Sequence, residues 1–280
     1  MSTEARLRAA IVEIGERMHA RGYVASNDGN ISARLDADRL LTTPKGVSKG
    51  FMTPDMMVVT DLAGRKLAGE RDASSELLMH LAVYRHRADV QAVVHAHPPV
   101  ATGFAVAGIP LDRAVLAEVI TTLGSIPIAE YGTPSTMELA DAVARHIKTH
   151  DGLLLANHGA LTVARDLHAA YYKMETIEHF ARISLVARLL GRERLLSREE
   201  VDRLQQLRGS YGIASPAPIC PVGEPGAAAE DPTCQTVQAP VGPPGGPRLV
   251  PDSALGPDHE IRLTYGELAA LIEDAIRNLR

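Results

Sequence analysis

Three histidines stand where a protein could hold a divalent metal ion. His95 and His97 close the apolar run of residues 92–98, and side chains two residues apart in a β-strand point to the same face. His158 follows a second apolar run, residues 152–156, and the glycine after it lets backbone or ligand approach closely. Neutral imidazoles suit zinc, and three protein ligands leave one coordination position open, as in catalytic sites.

A His-x-His pair alone does not decide between a metal site and ordinary surface or core histidines. Such a pair favours the ordinary interpretation by roughly two to one, because short motif matches are only hypotheses. A third histidine in a matching position at a strand end reverses those odds. The sequence therefore predicts a metal site on His95, His97 and His158.

Glu76 is a fourth candidate for the same site. Ser74-Ser75-Glu76 opens a predicted helix that runs to about Arg87, with one of the two serines as its N-cap. A carboxylate in the first helical turn can reach either the metal or a substrate proton. The alternative is an acid that is simply well placed at a helix N-terminus.

Three polar, turn-forming segments accompany these residues, at positions 28–32, 43–46 and 74–75. Their backbone N–H groups and hydroxyls could hold a phosphate, and the helix after Ser74 adds its dipole. Each segment alone is better explained as an ordinary turn or helix cap. Together with a metal site they predict a phosphorylated substrate. The candidate phosphate-binding residues are Gly29, Asn30, Lys45, Gly46, Ser74 and Ser75.

Length, composition and charge exclude several classes of protein. The chain has 280 residues, is 45% hydrophobic and carries a net charge of -5, so it can bury a large core and has no general attraction for nucleic acid or anionic membranes. No stretch resembles a transmembrane helix or a signal peptide. We expect a cytoplasmic protein in which Cys220 and Cys234, the only cysteines, are free thiols.

Helical and strand-like patterns are intermixed through the first 213 residues, which is typical of the α/β class with helices packed on a sheet. Strand-like runs precede His95 and surround His158. The predicted helices cover residues 3–21, 74–87, 135–149, 166–190 and 197–210, and further predicted strands cover residues 30–35, 39–42 and 57–61.

Residues 1–213 resemble the class II aldolase and adducin head-domain family, most closely its L-fuculose-1-phosphate aldolase branch. The resemblance implies a three-layer α/β/α domain around a largely antiparallel sheet, a homotetramer with active sites at subunit interfaces, and one zinc ion per subunit. The matching pieces occur in family order: Gly29-Asn30-Ile31-Ser32, Thr43-Pro44-Lys45-Gly46, Ser74-Ser75-Glu76, His95-Ala96-His97, His158-Gly159 and Tyr211-Gly212-Ile213.

The resemblance also implies a mechanism. Zinc on the three histidines would polarise the carbonyl of a ketose 1-phosphate and stabilise the enediolate left when the C3–C4 bond breaks. Glu76, a fourth ligand at rest, would leave the metal and shuttle the C3 proton. Tyr211 resembles a tyrosine that a neighbouring subunit contributes on the aldehyde side. The products would be dihydroxyacetone phosphate and an aldehyde.

Two departures leave the aldehyde open. Lys45 replaces a small hydroxyl residue of the fuculose enzyme, so it either adds a charge to the phosphate site or points into solvent. Residues 109–114 lack the tyrosine that shapes that enzyme's aldehyde pocket. Fuculose 1-phosphate, 5-deoxyribulose 1-phosphate and its methylthio analogue all remain candidate substrates.

Other members of the family give three alternatives. A methylthioribulose-1-phosphate dehydratase keeps the metal and eliminates water. An L-ribulose-5-phosphate 4-epimerase would carry aspartate in place of Glu76. An adducin-like interaction domain would lose the metal ligands, and retention of the histidines and Glu76 argues against it.

The aldolase resemblance does not cover the C-terminal residues. Residues 214–257 are rich in Pro, Gly and Ala, which predicts a flexible linker. Residues 258–280 then predict an amphipathic helix with a capping box at Thr264 and Glu267. The helix either docks on its own enzyme or a neighbouring subunit, or serves as a targeting tag. Its layout resembles the encapsulation peptides that load cargo enzymes into bacterial microcompartments by binding shell proteins.

Overall fold

The computed structural model describes residues 2–210, 213, 217–220 and 234–238. Within them, an eight-stranded sheet is flanked by helices. The helices are α1 Thr3–Ala20, α2 Leu77–His86, α3 Pro99–Ala107, α4 Ala117–Thr122, α5 Met137–His146, α6 Leu167–Leu189 and α7 Arg198–Ser210. The strands are β1 Asn30–Arg34, β2 Arg39–Thr42, β3 Val58–Asp61, β4 Lys66–Ala68, β5 Ala92–Ala96, β6 Ile128–Ala129, β7 Gly152–Leu155 and β8 Gly159–Ala164.

The strand order is β4-β3-β2-β1-β5-β8-β7-β6. Every neighbouring pair is antiparallel except β6 and β7, which are parallel. The two strands that flank β5 place Asn30 opposite His95 and Ala160 opposite Ala96. The sheet therefore brings the first polar loop and the β7–β8 turn to the end of β5 where His97 follows.

Alternation along the central strands separates two hydrophobic cores. Val94 packs in a cluster with residues of α1, α3 and α6, whereas its neighbour Val93 packs in a cluster with residues of α2 and α5. Because successive strand residues face opposite sides of a sheet, these clusters are two separate layers. The predicted three-layer arrangement with a largely antiparallel sheet is confirmed.

Local capping explains where two of the long helices begin. Ser2 accepts a hydrogen bond from the backbone N–H of Ala5 at the start of α1, and Asp166 accepts one from Ala169 at the start of α6. Such caps satisfy N–H groups that have no partner within the helix. The main predicted elements are confirmed to within a few residues, while α3, α4, β4 and β6 were not predicted.

The predicted serine N-cap of α2 was wrong. The helix begins at Leu77, and Glu76 occupies the N-cap position without a side-chain capping hydrogen bond. Ser74 instead accepts a hydrogen bond from the N–H of Glu76 at 3.3 Å. The Glu76 carboxylate is thereby directed away from its own helix and towards the histidines.

The prediction of free thiols was also wrong, because Cys220 and Cys234 form a disulfide. Next to it, Ile219 and Gln235 form a parallel bridge, and Thr236 forms another with Arg113 of the main domain. Residues 217–220 and 234–238 thus pair with structured backbone, where the sequence predicted flexible linker. Isolated bridges carry no hydrophobic periodicity, so the sequence pattern could not reveal them.

Tyr211 and the predicted helix over residues 258–280 lie outside the described residues. The helices that are described include none long and apolar enough to cross a membrane.

Candidate active site

The three predicted histidines lie together at one end of the central strands. His95 is the fourth residue of β5, His97 follows the strand, and His158 lies in the short turn between β7 and β8. The ring centroids are 4.9 Å apart for His95 and His97, 4.8 Å for His95 and His158, and 5.0 Å for His97 and His158. One ring nitrogen from each histidine lies within 4.8 Å of the others.

Two residues at the β7–β8 turn, Asn157 and Gly159, make this convergence possible. Asn157 adopts a left-handed backbone conformation with φ of 56°, which lets a short turn reverse the chain. A Cβ atom on Gly159 would lie 2.5 Å from the carbonyl oxygen of Ala96 and 2.6 Å from the His97 ring. Only glycine permits this approach, as the sequence predicted.

Glu76 completes the cluster from α2. Its two carboxylate oxygens lie 3.4 Å from Nε2 of His95 and 3.1 Å from Nε2 of His158, and Asn30 Nδ2 donates to Oε2 at 2.8 Å. Burial alone would raise the pKa of this carboxyl group, but the nearby His95 and His158 rings and the Asn30 hydrogen bond together hold it well below the usual range. Glu76 is therefore an ionised carboxylate.

The donor set fits a divalent metal of the zinc type. His95 Nδ1 lies 2.9 Å from the Ala160 carbonyl oxygen, so it donates there and leaves Nε2 with its lone pair facing the cluster. Burial holds the pKa of His95 well below its ordinary value, and burial also lowers that of His97. Glu76 Oε1 is buried and faces Nε2 of His158 at 3.1 Å. Three imidazoles beside a buried carboxylate suit a bound cation.

The cluster forms the floor of a cavity of about 400 Å³. Asp28 stands beside the floor, where its Oδ2 lies 3.4 Å from Nδ1 of His97. All the predicted phosphate-binding residues line this cavity. The described lining residues are Asn27, Asp28, Gly29, Asn30, Pro44, Lys45, Gly46, Lys49, Ser74, Ser75, Glu76, His97, Pro134, Ser135 and His158.

The predicted phosphate-binding residues differ in what they offer. Gly29 and Gly46 have φ of 73° and 72°, so both turns adopt a conformation that favours glycine. Ser75 and Lys45 are exposed at the rim. The Asn30 side chain has other partners, since its amide bonds Glu76 and the buried His80.

Lys49 is a cavity residue that the sequence did not single out. It is 1% exposed, and its Nζ donates to the carbonyl oxygens of Asn27 at 2.9 Å and Val47 at 2.6 Å. Burial lowers the pKa of its ammonium group to about 8, against the opposing charges of Asp28 and Glu76. Its position three residues after Gly46 was a visible but weak signal.

Glu178 is a second residue that the sequence missed. Its carboxylate on α6 accepts hydrogen bonds from the N–H groups of Val100 at 3.1 Å and Ala101 at 2.9 Å, and it pairs with Arg182 at 2.8 Å. Those N–H groups belong to the first turn of α3, which starts two residues after His97. Glu178 thus fixes the backbone that leaves the histidine cluster.

Comparisons with known proteins agree with this geometry. Residues 9–185 match the model of the "Class II Aldolase and Adducin N-terminal domain" family. The chain is 33% identical over 207 residues to a 5-deoxy-D-ribulose 1-phosphate aldolase of Bacillus thuringiensis, covering 73% of this chain and 96% of the relative.

Two further proteins show the range of related activities. A 3-oxo-tetronate 4-phosphate decarboxylase of Pectobacterium atrosepticum is 30% identical over 190 residues, covering 66% of this chain and 87% of the relative. A solved structure of an L-fuculose 1-phosphate aldolase superposes with a TM-score of 0.68 at 31% identity, covering 74% of this chain and 96% of that one.

Proposed function

The chain belongs to the class II aldolase and adducin N-terminal domain family, and we propose that it is a zinc-dependent lyase that cleaves a ketose 1-phosphate to dihydroxyacetone phosphate and an aldehyde. The observation that carries this proposal is the joint geometry of the cavity. Its floor holds His97, His158 and Glu76, with the buried His95 beside them, and its rim holds polar turns suited to a phosphate. A substrate with a phosphate at one end and oxygens near the metal at the other matches that arrangement.

The residues support carbon–carbon bond cleavage. His95, His97 and His158 would hold the zinc ion with Glu76 as a fourth ligand, and the bound ion would supply Lewis acidity towards the substrate carbonyl. Glu76 would take up and return a proton at the substrate carbon next to that carbonyl. Its carboxylate suits this task because it is ionised and held by Asn30 within the cavity.

The rim would hold the phosphate. Turns at Gly29 and Gly46 present backbone N–H groups, and Ser74 and Ser75 stand beside the start of α2, whose dipole favours an anion. The buried ammonium of Lys49 adds a positive charge to the same wall. Because these groups are distributed over three loops, they would fix the position of the phosphate relative to the metal.

L-Fuculose 1-phosphate and 5-deoxyribulose 1-phosphate are the proposed substrates. The names of the similar Bacillus enzyme and of the solved fuculose 1-phosphate aldolase support these two sugars. Among the described residues that line the cavity, none comes from positions 109–114.

A decarboxylase is the second candidate, favoured by the similar Pectobacterium enzyme. Loss of carbon dioxide from a 3-oxo acid leaves the same kind of electron pair beside a carbonyl as aldol cleavage does. The same cation and phosphate site would therefore serve both reactions. The sequence alone did not suggest a decarboxylase. The dehydratase and the epimerase remain alternatives without a specific supporting observation.

The deciding experiment offers three substrates side by side: L-fuculose 1-phosphate, 5-deoxyribulose 1-phosphate and 3-oxo-tetronate 4-phosphate. Zinc-loaded protein, chelated protein and the Glu76→Gln variant are assayed for dihydroxyacetone phosphate and for carbon dioxide. We expect dihydroxyacetone phosphate from at least one of the first two sugars, with a requirement for zinc and Glu76. Decarboxylation of 3-oxo-tetronate 4-phosphate also yields dihydroxyacetone phosphate, so carbon dioxide and dihydroxyacetone phosphate from that substrate, with neither sugar cleaved, would favour the decarboxylase. Zinc binding without any turnover would move the dehydratase and the epimerase ahead.

The proposal includes a homotetramer in which Tyr211 of one subunit acts at a neighbour's site. Mass measurement in solution tests the assembly. Mixing Tyr211→Phe subunits with Glu76→Gln subunits tests the shared site, because hybrid tetramers would regain activity in sites that combine an intact Glu76 with an intact Tyr211.

The C-terminal helix stays a prediction. We propose that residues 258–280 bind a microcompartment shell protein, on the basis of their amphipathic pattern and the preceding Pro- and Gly-rich stretch. Fusing these residues to a fluorescent protein and co-expressing shell proteins tests the idea. Diffuse fluorescence in the presence of shells would contradict it.

A further inference from the structure

A buried chain of hydrogen bonds leads from α2 to the Glu76 carboxylate. Tyr84 OH lies 2.9 Å from Ser32 Oγ, and Ser32 Oγ lies 2.6 Å from His80 Nδ1. On the other side of the ring, His80 Nε2 lies 2.5 Å from Asn30 Oδ1. Asn30 Nδ2 then donates to Glu76 Oε2 at 2.8 Å. The four residues behind Glu76 are all at most 3% exposed.

The register of two elements produces this chain. Asn30 and Ser32 are two residues apart on β1 and so share one face of the strand. Glu76, His80 and Tyr84 are spaced four residues apart along the start and body of α2, so they form one stripe. The strand face and the helix stripe meet through the side chains of these five residues. Apolar residues would fill the same space without requiring partners, whereas each buried polar group here needs one.

The position of each proton follows from the Glu76 end of the hydrogen-bond chain. An ionised carboxylate only accepts hydrogen bonds, so the Asn30 amide must turn its NH₂ group to Glu76 and its oxygen to His80. The oxygen in turn requires a proton on His80 Nε2. A neutral ring then has a lone pair on Nδ1, which accepts from the Ser32 hydroxyl, and the Tyr84 hydroxyl donates to Ser32 Oγ. Every donor thus faces an acceptor.

We propose that His80 is a positioning residue for the reaction: as the Nε2–H tautomer it locks the Asn30 amide, which holds the Glu76 carboxylate in place for metal and proton. This inference rests on the proposed function only for its catalytic consequence. Burial lowers the pKa of His80 to about 4, against the opposing charge of Glu76, which agrees with a neutral ring. Partners behind a metal ligand typically change metal affinity by 10- to 100-fold when removed.

Two amide substitutions separate the two ring nitrogens. In His80→Gln the longer side chain reaches the position of Nε2 and can still donate to Asn30. In His80→Asn the shorter side chain reaches only the position of Nδ1, so the contact with Ser32 is kept and the donor to Asn30 is lost. In His80→Asn we expect zinc affinity to fall at least about tenfold, and kcat to change more than KM. In His80→Gln we expect zinc affinity to stay within about threefold of wild type.

The tautomer itself is measured without substrate or metal. Long-range ¹H–¹⁵N correlation spectra of the metal-free full chain should show a neutral His80 ring with its proton on Nε2 at pH 7. A proton on Nδ1, or a doubly protonated ring, would overturn the inference. So would His80→Asn and His80→Gln proteins of equal zinc affinity, and if His80→Asn does not fold, the wild-type spectrum decides.

Failure of the inference and failure of the proposed function look different. Suppose that the wild-type protein shows the Nε2–H tautomer and that His80→Asn loses zinc affinity, but that the wild-type protein cleaves none of the three substrates. This result would support the positioning role and contradict the aldolase. An active aldolase with the His80 proton on Nδ1 would support the aldolase and contradict the positioning role. Tyr84→Phe is the matched control, at the end of the hydrogen-bond chain opposite Glu76. We expect it to change zinc affinity less than twofold, because the contact between His80 and Asn30 is kept.

Discussion

The two ends of the cavity are built in different ways. At the proposed metal end, His95 bonds the Ala160 carbonyl, His97 lies beside Asp28, and Glu76 bonds Asn30. At the proposed phosphate end, the candidate groups are backbone turns at Gly29 and Gly46, with Ser75 and Lys45 exposed.

This difference separates two tasks. The reacting atoms need side chains held in one orientation, because small displacements there raise the barrier to reaction. A phosphate accepts hydrogen bonds from many directions, so turns that present several N–H groups hold it with less demand on each one. Substitutions at the metal end should therefore act on kcat and zinc affinity, and substitutions at the phosphate end on KM.

Glu76→Gln should produce the largest effect. The amide keeps the size of the side chain but cannot take up a proton, and it replaces a charge with a neutral group beside three imidazoles. We expect kcat to fall by roughly 100-fold or more, as for the loss of a general base, with KM changed far less. Steady-state kinetics with saturating zinc measures this. Glu70→Gln, at an exposed position outside the cavity lining, is the matched control, and equal kcat values in the two variants would contradict the role of Glu76.

Lys49→Met tests the buried ammonium group at the proposed phosphate end. Methionine fills much of the same volume but cannot bind the Asn27 and Val47 carbonyls, which would be left without this donor. We expect KM for the phosphorylated sugar to rise about tenfold, the value for losing one charged contact of about 1.4 kcal/mol. A change in kcat without a change in KM would place Lys49 at the metal end of the comparison instead.

Lys49 also predicts a pH dependence. Its folded-state pKa of about 8 lies below the ordinary 10.5, so the ammonium is lost as pH rises through 8 and KM should rise in the same range. The unfolded chain binds more protons between pH 8 and 10.5, so this group's contribution to the free energy of unfolding increases with pH there. In Lys49→Met the corresponding part of both pH dependences should disappear, and an unchanged KM profile would contradict the assignment.

The sequence predicted that the three histidines converge, because the information for this is local. Two-residue alternation places His95 and His97 together, and a strand-end glycine marks His158. The support behind those ligands is different in kind. Asn30 meets His80 across 50 residues and Glu178 reaches Ala101 across 77, and single-sequence periodicity contains no information about such pairs.

The same limit explains the errors. A helix N-terminal serine is by default a cap, but here Ser74 accepts from the N–H of Glu76 while α2 begins only at Leu77. The Glu76 carboxylate lies beside histidines that are distant in sequence. Cys220 and Cys234 lie among prolines and glycines, a composition that predicts a linker. In the structure they form a disulfide beside the bridge between Ile219 and Gln235.

Glu178→Gln should have a smaller effect than either substitution inside the cavity, because it acts through backbone. The amide retains one acceptor oxygen for the first turn of α3 but loses the charge that favours a helix N-terminus and pairs with Arg182. We expect zinc affinity to fall about threefold, roughly 0.7 kcal/mol, measured by competition with a chelator. Glu16→Gln on the exposed side of α1 is the control. A loss as large as that expected for His80→Asn would mean that α3 controls the metal end as strongly as Asn30 does.

Lys45→Ala should give the smallest effect and so sharpens the comparison within the phosphate end. Lys45 lies in the turn before Gly46 and is exposed, whereas Lys49 is buried behind the same turn. An exposed ammonium keeps its hydration and contributes little to a fixed contact, so we expect KM to rise less than about threefold at 0.15 M salt. The effect should shrink further at higher salt because exposed charges are screened. If Lys45→Ala raised KM more than Lys49→Met, the exposed lysine would carry the phosphate charge, and burial would not be what distinguishes the two residues.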